Sequence, residues 1–394
     1  MLEENKKQYD LYIENEMSHI WEIAKYIHEN PELGYEEYKA CDVQCKYLEE
    51  TGFEVVKGVE ELETAYVATY GSGYPVIGIV AEYDALKGLG HACGHNLICT
   101  SSILTAKALK KYLDESKASG TIKVIGTPAE EGGGGKIKLL EKHTFDGIDA
   151  VFMMHPTSWT TKLAGACLSG VGYKITFHGK TAQASSHPEN GRNALSAANL
   201  YMMAIAQWRQ HFKGDMRISQ IITNGGDQPG IIPGEATIDA SVRCFGAKDV
   251  EWLSEVVENC AKGSALAMDC TVDFEKNIGY IGRTPNTTLS ELCRKEFDSL
   301  GEATLPGLTD DYGAEDLGNV SRVIPICNPY VTIFPDYKIS GHTVQFRELA
   351  GSEPGYRCIN VTAKALTRTI IEVLENTTVI DEAKRELADR LSKE

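Results

Sequence analysis

At 394 residues the chain exceeds what one hydrophobic core usually serves, so two domains are expected. Its composition, 42% hydrophobic and 24% charged, is that of a soluble globular protein. A net charge of −17 with no offsetting Lys/Arg cluster argues against nucleic acid as a partner, and no apolar run is long enough to span a membrane. Met1-Leu2-Glu3-Glu4-Asn5-Lys6-Lys7 lacks a secretory signature, so a cytoplasmic location is expected. The eleven scattered cysteines then read as reduced thiols, most of them core packing residues such as Cys260 and Cys270.

Residues 1–52 read as helix, broken at Asn30-Pro31-Glu32-Leu33-Gly34, with Ile20, Ile23, Ala24 and Ile27 at helical spacing. From residue 75 short apolar runs alternate with helices. Strands are predicted over 75–81, 121–126 and 150–154, with helices over 97–112 and 136–142. That alternation implies an α/β fold with a mostly parallel sheet and helices on both faces.

Around Gly170 the rhythm changes. Alternating strands over 171–177, 216–223, 236–243 and 271–274 frame helices over 194–212 and 250–266. This β-α-β-β-α-β order is the pattern of a ferredoxin-like α+β unit. A strand near 330–334 and a helix over 359–374 resume the α/β style, so the small unit reads as an insertion. The expected boundaries are 1–168 and 281–394 for the discontinuous α/β domain, and 169–280 for the insertion.

Polar residues cluster just beyond the apolar strands: Glu82-Tyr83-Asp84, Thr127-Pro128-Ala129-Glu130-Glu131 and His155-Pro156. In open α/β sheets ligands collect at the carboxyl ends of strands, so these groups should converge. Gly90-His91-Ala92-Cys93-Gly94-His95-Asn96 lies in the first strand-to-helix crossover, at the same edge. Thiolate, imidazole and carboxylate together suit zinc or a related transition metal. Of the paired glutamates, one can bind metal while the other holds a water. His19, His28, His143, His178 and His211 lack such company and read as structural. Gly132-Gly133-Gly134-Gly135-Lys136 is followed by Ile137, which excludes a phosphate-binding loop. Cys93 and His95 are also too close in sequence for the usual nucleophile–base pair, which the fold brings together from separate elements.

These motifs resemble the aminoacylase/carboxypeptidase-G clan of zinc peptidases, in its amidohydrolase branch. The matching segments are His28-Glu29-Asn30-Pro31-Glu32-Leu33-Gly34, Ala81-Glu82-Tyr83-Asp84-Ala85-Leu86, Cys93-Gly94-His95-Asn96 and Gly126-Thr127-Pro128-Ala129-Glu130-Glu131. Met154-His155-Pro156, Gly191-Arg192-Asn193-Ala194-Leu195, Asp316-Leu317-Gly318-Asn319-Val320-Ser321 and His342-Thr343 continue the series. The resemblance implies Cys93, His95, Glu131, His155 and His342 as metal ligands, Glu130 as general base and Asp84 as an orienting carboxylate. It implies two divalent ions in each protomer (zinc, with manganese or cobalt as alternatives) and a small amide substrate, an N-acyl amino acid, an aminobenzoyl-glutamate-like conjugate or a dipeptide. It further implies a homodimer formed through the insertion, which would also act as a lid.

Two positions depart from the family pattern. Gln183 stands where the family carries an oxyanion-stabilising His, with His187 as a competing candidate four residues on. Pro229-Gly230-Ile231-Ile232-Pro233 lacks the usual Asn before Ile-Pro. Arg243 and Asn193 are expected on the substrate side. A non-hydrolytic metal-containing binding protein of the same fold is the alternative reading, and retention of Glu130 argues against it.

Overall fold

The computed structural model describes residues 2–394, which form two compact units. The first comprises the chain up to Ala166 with Arg283–Asp311 and Asn319–Lys393. The second comprises Cys167–Gly282 and Tyr312–Gly318.

The first unit is built on a six-stranded sheet. From edge to edge its strands are Glu54–Lys57, Tyr66–Ser72, Gly120–Thr127, Val76–Glu82, Ala150–Phe152 and Ile326–Cys327. The last four run parallel and the first two antiparallel. Val76–Glu82 and Gly120–Thr127 are buried almost throughout, as strands covered on both faces must be. The helix His95–Ser116 packs between Leu2–Glu29 and Glu353–Glu375 and buries most of its circumference. On the first of these helices Ile20, Ile23, Ala24 and Ile27 are all buried, as their spacing predicts.

The first unit also holds a second sheet, of four strands, of which the apolar pattern predicts only the strand near 330–334. Its order is Thr304–Thr309, Thr161–Ala164, Pro329–Phe334 and His155–Ser158. The predicted strand over 150–154 therefore stops at Phe152, and His155 opens a new strand paired with Tyr330.

The second unit carries four antiparallel strands in the order Arg217–Asn224, Glu235–Cys244, Ser169–His178, Thr271–Lys276. Helices Ala194–Trp208 and Ala247–Ala267 complete the β-α-β-β-α-β succession, the first ending before the predicted Phe212 because a 3₁₀ turn follows. Alternate residues Val171, Tyr173, Ile175 and Phe177 meet Ala236, Ile238, Ala240 and Val242 in one core. All eleven cysteines are free thiols; Cys260 and Cys270, expected in the core, are only half-buried.

Candidate metal centre

Three parallel strands end at one edge of the large sheet, and the functional side chains follow from that. Glu82 pairs in register with Thr127, so Asp84 and the Ala129–Glu131 turn emerge side by side. Gly94, at φ +78, turns the chain into the helix that starts at His95, and a Cβ there would lie 2.6 Å from Pro156 Cγ. Only glycine satisfies both the backbone and the space. His342 comes from much later in the chain, where its N–H donates to Ala92 O (2.9 Å).

The expected residues are brought together. One ligating atom from each of Cys93, His95 and His155 lies within 4.8 Å of the others, and so do those of Cys93, Glu131 and His342, and of His95, Glu130 and Glu131. Cys93 Sγ is 3.4 Å from His155 Nε2, and Glu131 Oε1 is 3.2 Å from His342 Nε2.

The imidazoles are oriented from behind. His95 Nδ1 donates to Asp84 Oδ1 (3.0 Å), and His155 Nδ1 donates to Pro156 O (2.8 Å), so each ring turns Nε2 toward the cluster. Asp84 Oδ2 also accepts the Glu131 N–H (2.9 Å). At the centre, His95 Nε2 and Glu131 Oε1 are buried and make no well-directed hydrogen bond; Glu82 Oε1 lies 3.4 Å from the first and His342 Nε2 3.2 Å from the second. A buried imidazole nitrogen and carboxylate oxygen without a directed hydrogen bond are costly, and a divalent cation satisfies both. The donor set of one thiol, three imidazoles and a carboxylate fits such an ion.

Electrostatics concur. Burial alone would raise the Cys93 thiol, but His155 and His95 pull it down to about 6. Burial would lower His155, yet the neighbouring Cys93 and Glu82 hold it up at about 9. Cys93 and Glu131 push His342 up to about 10. Burial opposes ionisation of Glu131, and His342 and His95 more than reverse it. His91, in the same loop, goes the other way: burial, with His95 and His28 nearby, lowers it to about 3.

Two charged residues of this site receive no role from a reading of the sequence: Glu82, expected only to lie at the strand ends, and Lys136. Glu82 Oε1 lies 3.4 Å from His95 Nε2, and its Oε2 accepts from Lys136 Nζ (2.6 Å), both side chains being fully buried. The available signal is a carboxylate at the last position of a wholly apolar strand.

The remaining predicted residues lie in the second unit. Gln183 is exposed, and its Oε1 accepts from Ser185 N (2.7 Å), Ser186 N and Ser186 Oγ. Its amide N–H₂ group is therefore directed away from that turn. His187 is exposed, with Nδ1 3.4 Å from Glu189 Oε1. Asn193 caps the helix that follows it, accepting from Ser196 N (3.0 Å), and lines a cleft of about 420 Å³ with Leu195, Gly226, Gln228 and Ile232. Arg243 lies against the Cα of Gly170 and forms no ion pair among the described residues.

The sequence profile described as peptidase family M20/M25/M40 matches residues 80–376. The chain is 34% identical to the Xaa-Arg dipeptidase of Mus musculus, over 94% of this chain and 89% of that protein. It is 30% identical to one of the chains of the p-aminobenzoyl-glutamate hydrolase of Escherichia coli (strain K12), over 79% of this chain and 67% of that one. Its fold is similar to that of a Bacillus subtilis dinuclear metal-binding peptidase of the M20 family, with TM-score 0.71 and 22% identity, covering 92% of this chain and 99% of the other.

Proposed function

Because the chain belongs to peptidase family M20/M25/M40, and is thereby a hydrolase of amide or peptide bonds, we propose that it cleaves a small N-acyl amino acid, aminobenzoyl-glutamate-like conjugate or dipeptide at the cluster around Cys93. The observation that carries this reading is the pair of buried atoms His95 Nε2 and Glu131 Oε1, neither in a directed hydrogen bond, amid a thiol and two further imidazoles.

Cys93, His95, Glu131, His155 and His342 would hold the metal. Cys93 belongs to two of the three-residue clusters, which supports two ions sharing its sulfur. Bound divalent cations supply Lewis acidity toward a carbonyl oxygen and bring the pKa of water from 15.7 to about 7. Zinc, manganese and cobalt all accept this ligand set.

Glu130 is the base. Glu131 is drawn toward His342 and His95, whereas Glu130 belongs to a single cluster, and that supports dividing the two roles this way. The Glu130 carboxylate takes a proton from the attacking water as its oxygen bonds to the amide carbon. It then gives that proton to the amine nitrogen as the C–N bond breaks. Asp84 keeps His95 in the tautomer that leaves Nε2 free of a proton. Gln183, through its amide N–H₂, is our candidate donor to the oxyanion, with Arg243 and Asn193 on the substrate side.

A homodimer through the second unit is supported by its open edge strand Arg217–Asn224, where Ile221 is 62% exposed and Ile222 39%. Free thiols at all eleven cysteines support a cytoplasmic location, and among the described residues no helix is long and apolar enough to cross a membrane. A purely binding role is not favoured, because such a protein needs no base at Glu130. Turnover of a panel of dipeptides, N-acyl amino acids and aminobenzoyl-glutamate, followed by release of free amino acid, tests the substrate class. Activity on none of them would refute it.

A further inference from the structure

The Asn30–Glu37 turn joins the helices Leu2–Glu29 and Tyr38–Thr51, and it contributes no residue to the metal cluster. Its last residue, Glu37, is nonetheless fully buried. Glu37 Oε1 accepts the N–H of Ala129 (2.8 Å), and Oε2 accepts Thr64 Oγ1–H (2.8 Å).

Ala129 immediately precedes Glu130 and has φ 55 and ψ 50, a left-handed conformation that L-residues seldom adopt unless their surroundings impose it. The surroundings here do so from several sides. A Cβ on Gly34 would lie 2.8 Å from Ala129 Cβ, and one on Gly133 would lie 2.6 Å from it. Tyr35 Oη donates to Gly133 O at 2.5 Å, tying the same two turns together again. On the far side of Glu130, Asp84 Oδ2 holds the Glu131 N–H at 2.9 Å.

We propose that Glu37 is a positioning residue: with Asp84 it fixes the two backbone amides that flank Glu130, and so sets where the Glu130 and Glu131 carboxylates point. The proposal rests on the reading of Glu130 as base and Glu131 as ligand. Its backbone part, however, is independent of any metal. Burial and the nearby charge of Asp84 push the Glu37 carboxyl up to about 7, so its surroundings oppose the carboxylate that the two donors hold. A buried acid kept at such a cost marks a function for its oxygens. The role explains why the Pro31-Glu32-Leu33-Gly34 turn accompanies a site it does not enter.

The test compares Glu37→Ala, Glu37→Asp and Glu37→Gln. Glutamine reaches as far as glutamate, its carbonyl can accept the Ala129 N–H, and its N–H₂ can donate to Thr64 Oγ1. Alanine has no acceptor, and aspartate is one methylene too short to reach. Hydrogen exchange at the 129–133 amides is measured on metal-free protein. Cobalt affinity and its visible spectrum, kcat and KM follow. Glu37→Ala and Glu37→Asp should lose protection at these amides and bind cobalt about 10–100-fold more weakly. Their kcat should fall by about 10² while KM changes little, because a misplaced base is felt in the transition state. Glu37→Gln should restore most of each loss. If alanine unfolds the protein, the aspartate variant carries the comparison. Unchanged exchange in the aspartate or alanine variant overturns the proposal whatever the enzyme's activity. So does a glutamine variant as impaired as the alanine one, because charge and not the acceptor would then matter. If exchange follows these expectations but cobalt binds nowhere, the reading of the metal centre fails instead, and with it the extension of this role to the two carboxylates.

Discussion

Replacing Asp84 with asparagine barely changes the shape of the side chain and should disable the metal centre. The carboxylate is buried and accepts two hydrogen bonds, from His95 Nδ1 (3.0 Å) and from the Glu131 N–H (2.9 Å). Burial alone would raise the Asp84 carboxyl, but His95 and the Glu131 N–H hold it below the ordinary aspartate value. Asparagine offers one acceptor where two donors wait. If its oxygen faces Glu131, its N–H₂ faces His95 Nδ1, which must then accept, and the ring proton moves to Nε2, where a metal can no longer bind. If its oxygen faces His95, two N–H groups meet at Glu131 and the turn opens. The first orientation keeps both contacts but spoils the nitrogen that faces the metal; the second loses one hydrogen bond to a charged group, about 1.5–3 kcal/mol. Loss of such a partner typically weakens metal binding by about 10–100-fold, or roughly 1.4–2.8 kcal/mol. Competition between Asp84→Asn and a chelator for zinc or cobalt reads this directly. A chelator midpoint and a cobalt spectrum matching those of the unmodified protein would show that Asp84 does not set the His95 tautomer.

Glu130→Gln keeps the shape of the turn but removes the base, so kcat should fall by roughly 10²–10⁴ with metal content near normal. Metal loss in that variant would mean that the roles of Glu130 and Glu131 are exchanged. Gln183→Ala should cost about 10²–10³ in rate if its amide N–H₂ is the oxyanion donor, with His187→Ala close to unmodified. A glutamine donor also predicts no fall in rate as pH rises through about 6.5, the ordinary histidine pKa. The opposite ranking of the two variants would assign the role to His187.

How much of the fold and the site is legible in the sequence depends on how local each signal is. The strands Val76–Glu82 and Gly120–Thr127 announce themselves as continuous apolar runs because both faces are covered. The second unit reads as ferredoxin-like because Val171, Tyr173, Ile175 and Phe177 alternate. By contrast Thr161–Ala164 and His155–Ser158 are four residues long and pair with residues about 170 positions away, which periodicity cannot register. The site divides the same way. Cys93 and His95 crowd one glycine turn and draw attention unaided. His342 comes into view only through the family resemblance, since its contact with Glu131 joins distant loops. Glu82 and Lys136 each look like an ordinary strand end or glycine-loop lysine, and only the fold makes them a buried pair. Glu37 is hidden for the same reason, its acceptor role lying 92 residues from its donor.

The most direct test of the central claim is to strip the protein of metal and titrate zinc, manganese or cobalt back. Bound metal per chain and amide hydrolysis should be measured on the same samples, in the unmodified protein and in Cys93→Ala. Stripped protein should be inactive, and turnover should rise with bound metal until about two ions per chain are held, with Cys93→Ala falling well short. Full turnover in metal-free protein, or full activity and metal content in Cys93→Ala, would contradict the account.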